Sequence, residues 1–151
     1  MLAVKIVILF AMMACVLTET INFKPCEIND CDISEVRVEP CTRDNENAVC
    51  KLRRRKPSRM EFSFTPNFDA DTLEASLVTV KDGGNELPLI TMDRDACKYT
   101  KCPLKSGESQ NYAVDIPIEK KFPLDTYKIK WTFKASSGKQ CCFLHEIKLV
   151  R

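Results

Sequence analysis

The residues and motifs from which catalytic sites are usually built are scarce or absent in this chain of 151 residues. It contains one histidine, His145, and only four glycines. No Gly-x-Ser-x-Gly elbow, phosphate-binding glycine loop or calcium-loop pattern occurs. Because a nucleophile, a base and an orienting group would have to be assembled around one histidine, we expect a protein that is not an enzyme. His145 lies in a predicted strand beside Phe143 and Ile147 and is interpreted as a structural, hydrogen-bonded histidine.

The composition also gives little support to a metal, cofactor or nucleic-acid partner. No Cys-x-x-Cys pair occurs, and one histidine makes a zinc site improbable. The formal net charge is +2, with both signs mixed along the chain. The local exception is KLRRRKPSR, residues 51–59, with six basic side chains. We interpret it as a solvated loop or strand edge, with an anionic membrane surface as the alternative partner.

Long apolar runs are absent after residue 20. Before it, a run from Ile6 to Leu17 follows Lys5 and ends at polar residues. This pattern predicts a secretory signal peptide over residues 1–20, because the run is too short for a comfortable membrane span. The alternative is an N-terminal anchor helix. We therefore expect one soluble, exported domain over residues 21–151.

The cysteines fit an exported protein. Nine occur, and eight remain once Cys15 is assigned to the signal peptide. An even number in an exported domain predicts a disulfide framework. Two of them, Cys141 and Cys142, are adjacent, so on a strand they point to opposite faces and each needs its own partner.

Alternation with a period of two dominates the remaining sequence. In TYKIKWTFKA, residues 126–135, Tyr127, Ile129, Trp131 and Phe133 take one face and the lysines take the other. RMEFSFT, NYAVDIPIE and CFLHEIKLV alternate in the same way, whereas LEASLVTVK is apolar on both faces. Seven or eight such strands predict an all-β fold of two antiparallel sheets packed face to face. The inward aromatic side chains form either a packed core or a cavity wall.

Several segments, in order, resemble Niemann-Pick type C2-like proteins of the ML lipid-recognition domain family, particularly those of invertebrates. They are NFKPCEIND, VEPC at 38–41, TPNF, DACKYTKCPLKSGE at 95–108, PIEKKFP at 117–123, and the last strand with its cysteine. The resemblance implies a secreted, immunoglobulin-like β-sandwich with an apolar pocket between its sheets. It places Leu89, Ile118 and Phe122 at the pocket mouth. The deeper lining that it implies comprises Phe62, Phe64, Tyr112, Val114, Ile116, Trp131 and Phe133.

The resemblance also implies the disulfide pairing. Cys41 pairs with Cys50, Cys97 with Cys102, and Cys26 with Cys142, which leaves Cys31 for Cys141 as a bridge beyond the family's usual three. The exchanged pairing, Cys26 with Cys141 and Cys31 with Cys142, stays open. No Asn-x-Ser/Thr sequon occurs, so lysosomal delivery through a glycan lacks its usual acceptor and an extracellular location is expected.

The expected function is that of a secreted carrier that holds a sterol, fatty acid or similar lipid and transfers it without chemistry. One alternative is an innate-immunity protein that recognises microbial lipid. Another is a disulfide-rich inhibitor or structural protein without any ligand.

Overall fold

The computed structural model describes residues 19–89 and 92–151, and in these residues the fold is a sandwich of two β-sheets. Nine strands occur in this part of the chain: β1 (Phe23–Pro25), β2 (Cys31–Glu39), β3 (Cys50–Arg53), β4 (Pro57–Pro66), β5 (Leu73–Val80), β6 (Glu86–Pro88), β7 (Gln110–Pro117), β8 (Thr126–Ala135) and β9 (Gln140–Val150). The helical content of the described residues is one short turn, Ala96–Lys98. The predicted all-β sandwich is confirmed.

The larger sheet has the strand order β1-β9-β8-β5-β6, and β3 pairs with β9 along the same edge as β1. The smaller sheet has the order β2-β4-β7. One pairing departs from the expected antiparallel pattern, because β3 runs parallel to β9 with Cys50 opposite Ile147. A parallel neighbour needs a long connection rather than a hairpin, and here much of the sandwich separates β3 from β9 in sequence.

Alternating side chains explain the strand faces. Along β8, Ile129, Trp131 and Phe133 are buried while the intervening lysines are exposed or half-buried. The turn from β8 to β9 closes at Gly138, whose φ of 88° is unfavourable for residues with a Cβ. In β5, Thr79 completes the buried face and Val78 and Val80 are half-buried on the other, so only one face of this apolar strand contacts the core.

The core is densely aromatic at one end of the sandwich. The ring centroids of Phe62 and Phe133 lie 5.0 Å apart, and those of Tyr112 and Phe133 lie 4.8 Å apart. Each such pair is worth about 0.5–1.5 kcal/mol beyond the apolar area that it buries. This end of the sandwich is therefore filled by aromatic side chains.

The predicted signal peptide, residues 1–20, lies outside the described residues except for its last two. Glu19 accepts a hydrogen bond from Arg43 Nε at 2.6 Å, and Thr20 forms a β-bridge with Arg37. The backbone N–H of Ile21 then donates to the Val36 carbonyl at 2.8 Å. Residues 19–21 thus contact the sandwich.

Candidate functional site

Two small apolar cavities lie between the sheets, toward the end opposite Phe62 and Phe133. Their volumes are about 40 Å³ and about 50 Å³. Five aliphatic side chains line both cavities: Leu89, Ile116, Ile118, Ile129 and Ile147. Because they share walls from both sheets, we treat them as one candidate site and call them the outer and the inner cavity, respectively.

The structure brings the three predicted mouth residues together around the outer cavity. Ile118 follows β7 and is 8% exposed, and Leu89 follows β6, where its N–H donates to the Leu77 carbonyl at 2.8 Å. Phe122 closes a turn in which its N–H donates to the Glu119 carbonyl at 3.3 Å. Three segments distant in sequence therefore meet at one opening between the sheets.

The predicted deeper residues divide into two groups. Ile116 lines both cavities and Trp131 lines the inner one. The other five are not among the lining residues of either cavity, and they belong to the packed core: Phe62, Phe64, Tyr112, Val114 and Phe133. They share a face with lining residues but lie further along their strands, where the two sheets are in close contact.

The sequence prediction missed several lining residues. Tyr127 and Leu149 line the outer cavity, and Tyr127 Oη donates to the Pro123 carbonyl at 2.9 Å, which braces the loop that carries Phe122. Met60 and Leu52 line the inner cavity. The alternation identified which side chains of each strand point inward, but not where each of them lies along the length of the sandwich.

The cavities are too small to hold a lipid without a change in the structure. Each exceeds the volume of about 10–15 Å³ that admits one water molecule, whereas sites for drug-sized ligands measure about 300–1,000 Å³. Entry of a lipid therefore requires the two sheets to move apart at this end. The cavities mark where the packing between the sheets is already incomplete.

Two of the four disulfides in the described residues fasten the opposite end. Cys31 of the smaller sheet is bonded to Cys141 of the larger sheet, with their Cα atoms 5.1 Å apart. Cys141 lies six residues before the cavity residue Ile147 on β9, a distance of about 20 Å along an extended strand. The Cys31–Cys141 bond thus joins the two sheets at the end remote from the cavities.

The neighbouring bond lies on the other face of β9. Cys26 is bonded to Cys142, with a Cα separation of 5.4 Å. Cys142 points away from the core as expected. It is nevertheless fully buried, because the N-terminal segment that contains Cys26 and Asn29 covers it. In this segment Asn29 Oδ1 accepts from the Cys142 N–H at 3.0 Å. The structure also contains the bonds Cys41–Cys50 and Cys97–Cys102, so it has the pairing implied by the resemblance rather than the exchanged one.

His145 is the titratable side chain in the wall of the inner cavity. It is 4% exposed, and its Nε2 accepts a hydrogen bond from Trp131 Nε1 at 3.2 Å. Its Nδ1 is buried and forms no hydrogen bond with the described residues. Burial lowers the pKa of His145 to about 4, and the Glu146 backbone opposes this only in part. His145 is therefore a buried, hydrogen-bonded histidine, as the sequence predicts.

The basic segment 51–59 lies beside the mouth. It forms the end of β3, a turn and the start of β4. Arg54 Nη1 donates to the carbonyls of Lys120 and Phe122 at 3.0 and 3.2 Å, and the Arg55 N–H donates to the Ile118 carbonyl at 2.7 Å. The turn therefore supports the loop that carries Phe122.

The surface near the mouth is both basic and apolar. In the turn, Arg53, Arg55 and Lys56 are exposed. Leu87 on β6 and Leu124 after the Phe122 loop are large hydrophobic side chains that are 48% and 42% exposed. Exposed apolar side chains beside cations are typical of surfaces that contact lipid headgroups.

A larger groove of about 320 Å³ lies at the sheet edge, where β1 and β3 meet the edge of β9. Its lining mixes polar side chains such as Asn22, Lys128 and Glu146 with apolar ones. It lies outside the space enclosed by the sheets, and an apolar ligand would remain partly in water there. We therefore place the candidate site at the inter-sheet cavities.

Neither a metal centre nor a membrane-spanning helix is found in the described ranges. Residues 19–89 and 92–151 contain no group of three or more His, Cys, Asp or Glu side chains arranged to hold a metal ion. The same ranges contain no helix with the length and apolar character needed to cross a bilayer.

Comparison with known proteins assigns this sandwich to a family of lipid-recognition domains. The ML domain family matches residues 20–149, and the chain belongs to this family. It is 34% identical to the MD-2-related lipid-recognition protein of Manduca sexta, over 99% of both chains. It is 27% identical to the NPC intracellular cholesterol transporter 2 homolog a of Drosophila melanogaster, over 85% of this chain and 89% of that one.

A solved structure agrees with the assignment. The crystal structure of a Niemann-Pick type C2 protein from the Japanese carpenter ant superposes with a TM-score of 0.76 and 24% identity, covering 85% of this chain and 99% of that one. It confirms the fold. The names of these relatives describe lipid recognition and cholesterol transport rather than catalysis, in agreement with the expectation that the chain is not an enzyme.

Proposed function

We propose that this protein is a secreted carrier that holds a sterol, fatty acid or similar lipid between its two sheets. The main support for this proposal is the position of the apolar cavities, which lie at the end of the sandwich that the Cys31–Cys141 bond does not fasten. The ligand enters between Leu89, Ile118 and Phe122 and displaces the weak contacts across the cavities. Residues 1–20 are removed on export, and residues 21–151 form the carrier.

Hydrophobic burial provides the driving force for loading. Covering on the order of 300 Å² of apolar ligand surface at about 25 cal/mol per Å² yields about 7 kcal/mol. This gain has to exceed the cost of separating side chains such as Ile116 and Ile129 across the sandwich. That cost is lowest where cavities already interrupt the contact. Release needs only the reverse movement, so no reaction is required.

The mouth surface is suited to exchange with an anionic bilayer. Residues 53–56 carry four positive charges beside the opening, and each basic residue near an anionic membrane contributes about 1 kcal/mol of attraction. Leu87 and Leu124 would enter the headgroup region. This orientation directs the mouth toward the membrane that donates or receives the lipid.

A matched pair of isoleucine variants tests the carrier function. Ile118→Trp fills the outer cavity, whereas Ile28→Trp places the same side chain at a position that is 69% exposed and not part of the cavity lining. The secreted protein is titrated with a fluorescent sterol and a fluorescent fatty acid, and native mass spectrometry identifies the copurified lipid. We expect loss of binding only in Ile118→Trp. Absence of lipid and of probe binding in the unmodified protein refutes the carrier function and favours the ligand-free alternative.

Recognition of microbial lipid is a second candidate, favoured by the likeness to the Manduca sexta protein along the whole chain. In this case the exposed cations of the basic turn bind the phosphates of lipopolysaccharide. The variant Arg53→Gln, Arg55→Gln, Lys56→Gln leaves Arg54 to support the Phe122 loop. Loss of lipopolysaccharide binding with fatty-acid binding retained supports this function. A control variant neutralises Lys128 and Lys134, on the outer face of β8, and should bind normally.

A further inference from the structure

The guanidinium of Arg54 joins the basic turn (residues 53–56) to the Phe122 loop (residues 119–123). Its Nη1 donates to the carbonyls of Lys120 and Phe122 at 3.0 and 3.2 Å. Among the described residues, Arg54 takes part in no salt bridge. A full positive charge is therefore partnered by two neutral oxygens, although a guanidinium binds an anionic oxygen more strongly.

The backbone of the basic turn is held independently of this side chain. The Arg54 N–H donates to the Val150 carbonyl at 3.1 Å, and the Arg55 N–H donates to the Ile118 carbonyl at 2.7 Å. Neither bond involves the Phe122 loop. The Arg54 side chain can therefore exchange its partners while the turn stays in place, and the loop is the part that such an exchange sets free.

Unpaired positive charges flank Arg54 on both sides. Arg53, Arg55 and Lys56 are exposed in the basic turn, and Lys120 is exposed in the Phe122 loop. None of these four forms a salt bridge with another described residue. Clustered charges of one sign raise the local potential and attract counter-ions. An anion is thus drawn to the place where Arg54 holds the loop.

A phosphate group offers Arg54 a stronger partner than the loop does. Guanidinium and phosphate form two parallel, charge-assisted hydrogen bonds, each roughly twice as strong as a bond between neutral groups. The bond from Arg54 to the Lys120 carbonyl is exposed, so water can replace the guanidinium there at little cost. Loss of both bonds frees the loop at Phe122, which lines the outer cavity.

We propose that Arg54 is a latch on the mouth of the lipid site and that a phosphate group opens it. Without an anion, Arg54 holds the Phe122 loop against the outer cavity. With a phosphate at the basic turn, Arg54 turns to the anion and the lipid passes the freed loop. This deepens the proposed carrier function and rests on it. A carrier with this latch retains its lipid in solution and exchanges it at a phosphate-bearing surface.

A soluble phosphate ester tests the latch apart from membrane docking. The full secreted protein is loaded with a fluorescent sterol, and release is followed into vesicles of digalactosyldiacylglycerol, which contain no phosphate. Millimolar glycerol phosphate should accelerate release about tenfold over sodium chloride of equal ionic strength, the factor that corresponds to one charge-assisted hydrogen bond. Docking alone predicts no acceleration, because the ester does not attach the protein to these vesicles.

Two variants separate the latch from a general loosening of the loop. Arg54→Ala should release the sterol rapidly without an anion and should gain nothing from glycerol phosphate. Tyr127→Phe removes the bond from Tyr127 Oη to the Pro123 carbonyl at 2.9 Å, which braces the same loop without a charge. It should release the sterol faster and still respond to glycerol phosphate. Replacing the three exposed cations of the basic turn by glutamine should weaken the response.

Vesicles of phosphatidylglycerol distinguish a lipid headgroup from a free phosphate as the source of the anion. They should accelerate release from the unmodified protein more than from Arg54→Ala, each relative to the galactolipid vesicles. A difference seen with these vesicles but not with glycerol phosphate assigns the latch to headgroups. Equal acceleration of both proteins, without any effect of glycerol phosphate, overturns the latch and leaves the carrier function intact.

Hydrogen exchange measures the latch without any lipid. Glycerol phosphate should increase the exchange rate of the backbone N–H groups in the Phe122 loop and leave those of β8 unchanged. Unchanged exchange in the loop overturns the release of that loop by phosphate. A protein that binds no fluorescent sterol or fatty acid and contains no copurified lipid overturns the carrier function, and the latch with it, whatever the loop does.

Discussion

The two disulfides that join the N-terminal segment to β9 should stabilise the fold non-additively. Cys26 and Cys142 are separated by 116 residues, and Cys31 and Cys141 by 110. Once either bond exists, the other closes a loop of only about eight residues, because segments 26–31 and 141–142 are already connected. Loop-closure entropy then gives about 4.8 kcal/mol for the first bond and about 2.5 kcal/mol for the second.

Replacing the cysteines in pairs by alanine measures this difference. Loss of either bond alone should lower the free energy of unfolding by about 2.5 kcal/mol, and loss of both by about 7 kcal/mol, roughly 2 kcal/mol more than the sum. The cost of truncating buried cysteines is expected to appear in single and combined variants alike, so it cancels in the cycle. Urea denaturation followed by fluorescence gives these values, because Trp131 is the one tryptophan and is fully buried.

A separate bond serves as the control. Cys97 and Cys102 are only five residues apart, so their bond hardly shortens the loops of 116 and 110 residues that contain it. The change Cys97→Ala, Cys102→Ala should therefore add almost independently to either pair. If the combined loss of the Cys26 and Cys31 bonds equals the sum of the single losses to within about 0.5 kcal/mol, the loop argument is wrong. The bonds would then act mainly on the native sheets.

Three further predictions follow from individual side chains. Because burial lowers the pKa of His145 to about 4 from 6.5, the unfolded chain binds its proton first as the pH falls. Stability should therefore be complete above pH 6.5 and decline by roughly 3 kcal/mol toward pH 4, and His145→Gln should flatten this part of the stability–pH profile. Phe62 is 1% exposed in the aromatic core, so Phe62→Ala should lower the free energy of unfolding by about 3–5 kcal/mol in urea denaturation. Phe122→Ala at the mouth should lower it much less and should accelerate lipid exchange. Arg54→Ala removes two hydrogen bonds to the Phe122 loop and should also accelerate lipid exchange in stopped-flow transfer. An unchanged exchange rate would mean that other contacts hold that loop.

Strand faces were readable from the sequence for a simple physical reason. Successive side chains on a strand point to opposite sides, so the alternation in β8 identified Ile129, Trp131 and Phe133 as inward whichever strands flank them. The same rule separated Cys141 from Cys142. The family resemblance predicted that Leu89, Ile118 and Phe122 lie close together. The local sequence pattern alone does not predict this.

The depth of each residue was not readable in the same way. Phe62 and Met60 are two residues apart on the same face of β4, yet Met60 lines the inner cavity and Phe62 is embedded in aromatic rings. The difference depends on what the opposite sheet places against each residue. The parallel pairing of β3 with β9 depends on distant segments in the same way.

The sequence by itself determined an all-β chain with one apolar face per strand and a last strand that needs partners on both sides, because alternation is a local property of the backbone. Only the tertiary structure decided where the two sheets lose contact and which end the Cys31–Cys141 bond fastens. It also placed His145 against Trp131, whose indole N–H donates to the histidine Nε2. Those features arise from the packing of strands that are remote in the chain, which no local pattern specifies.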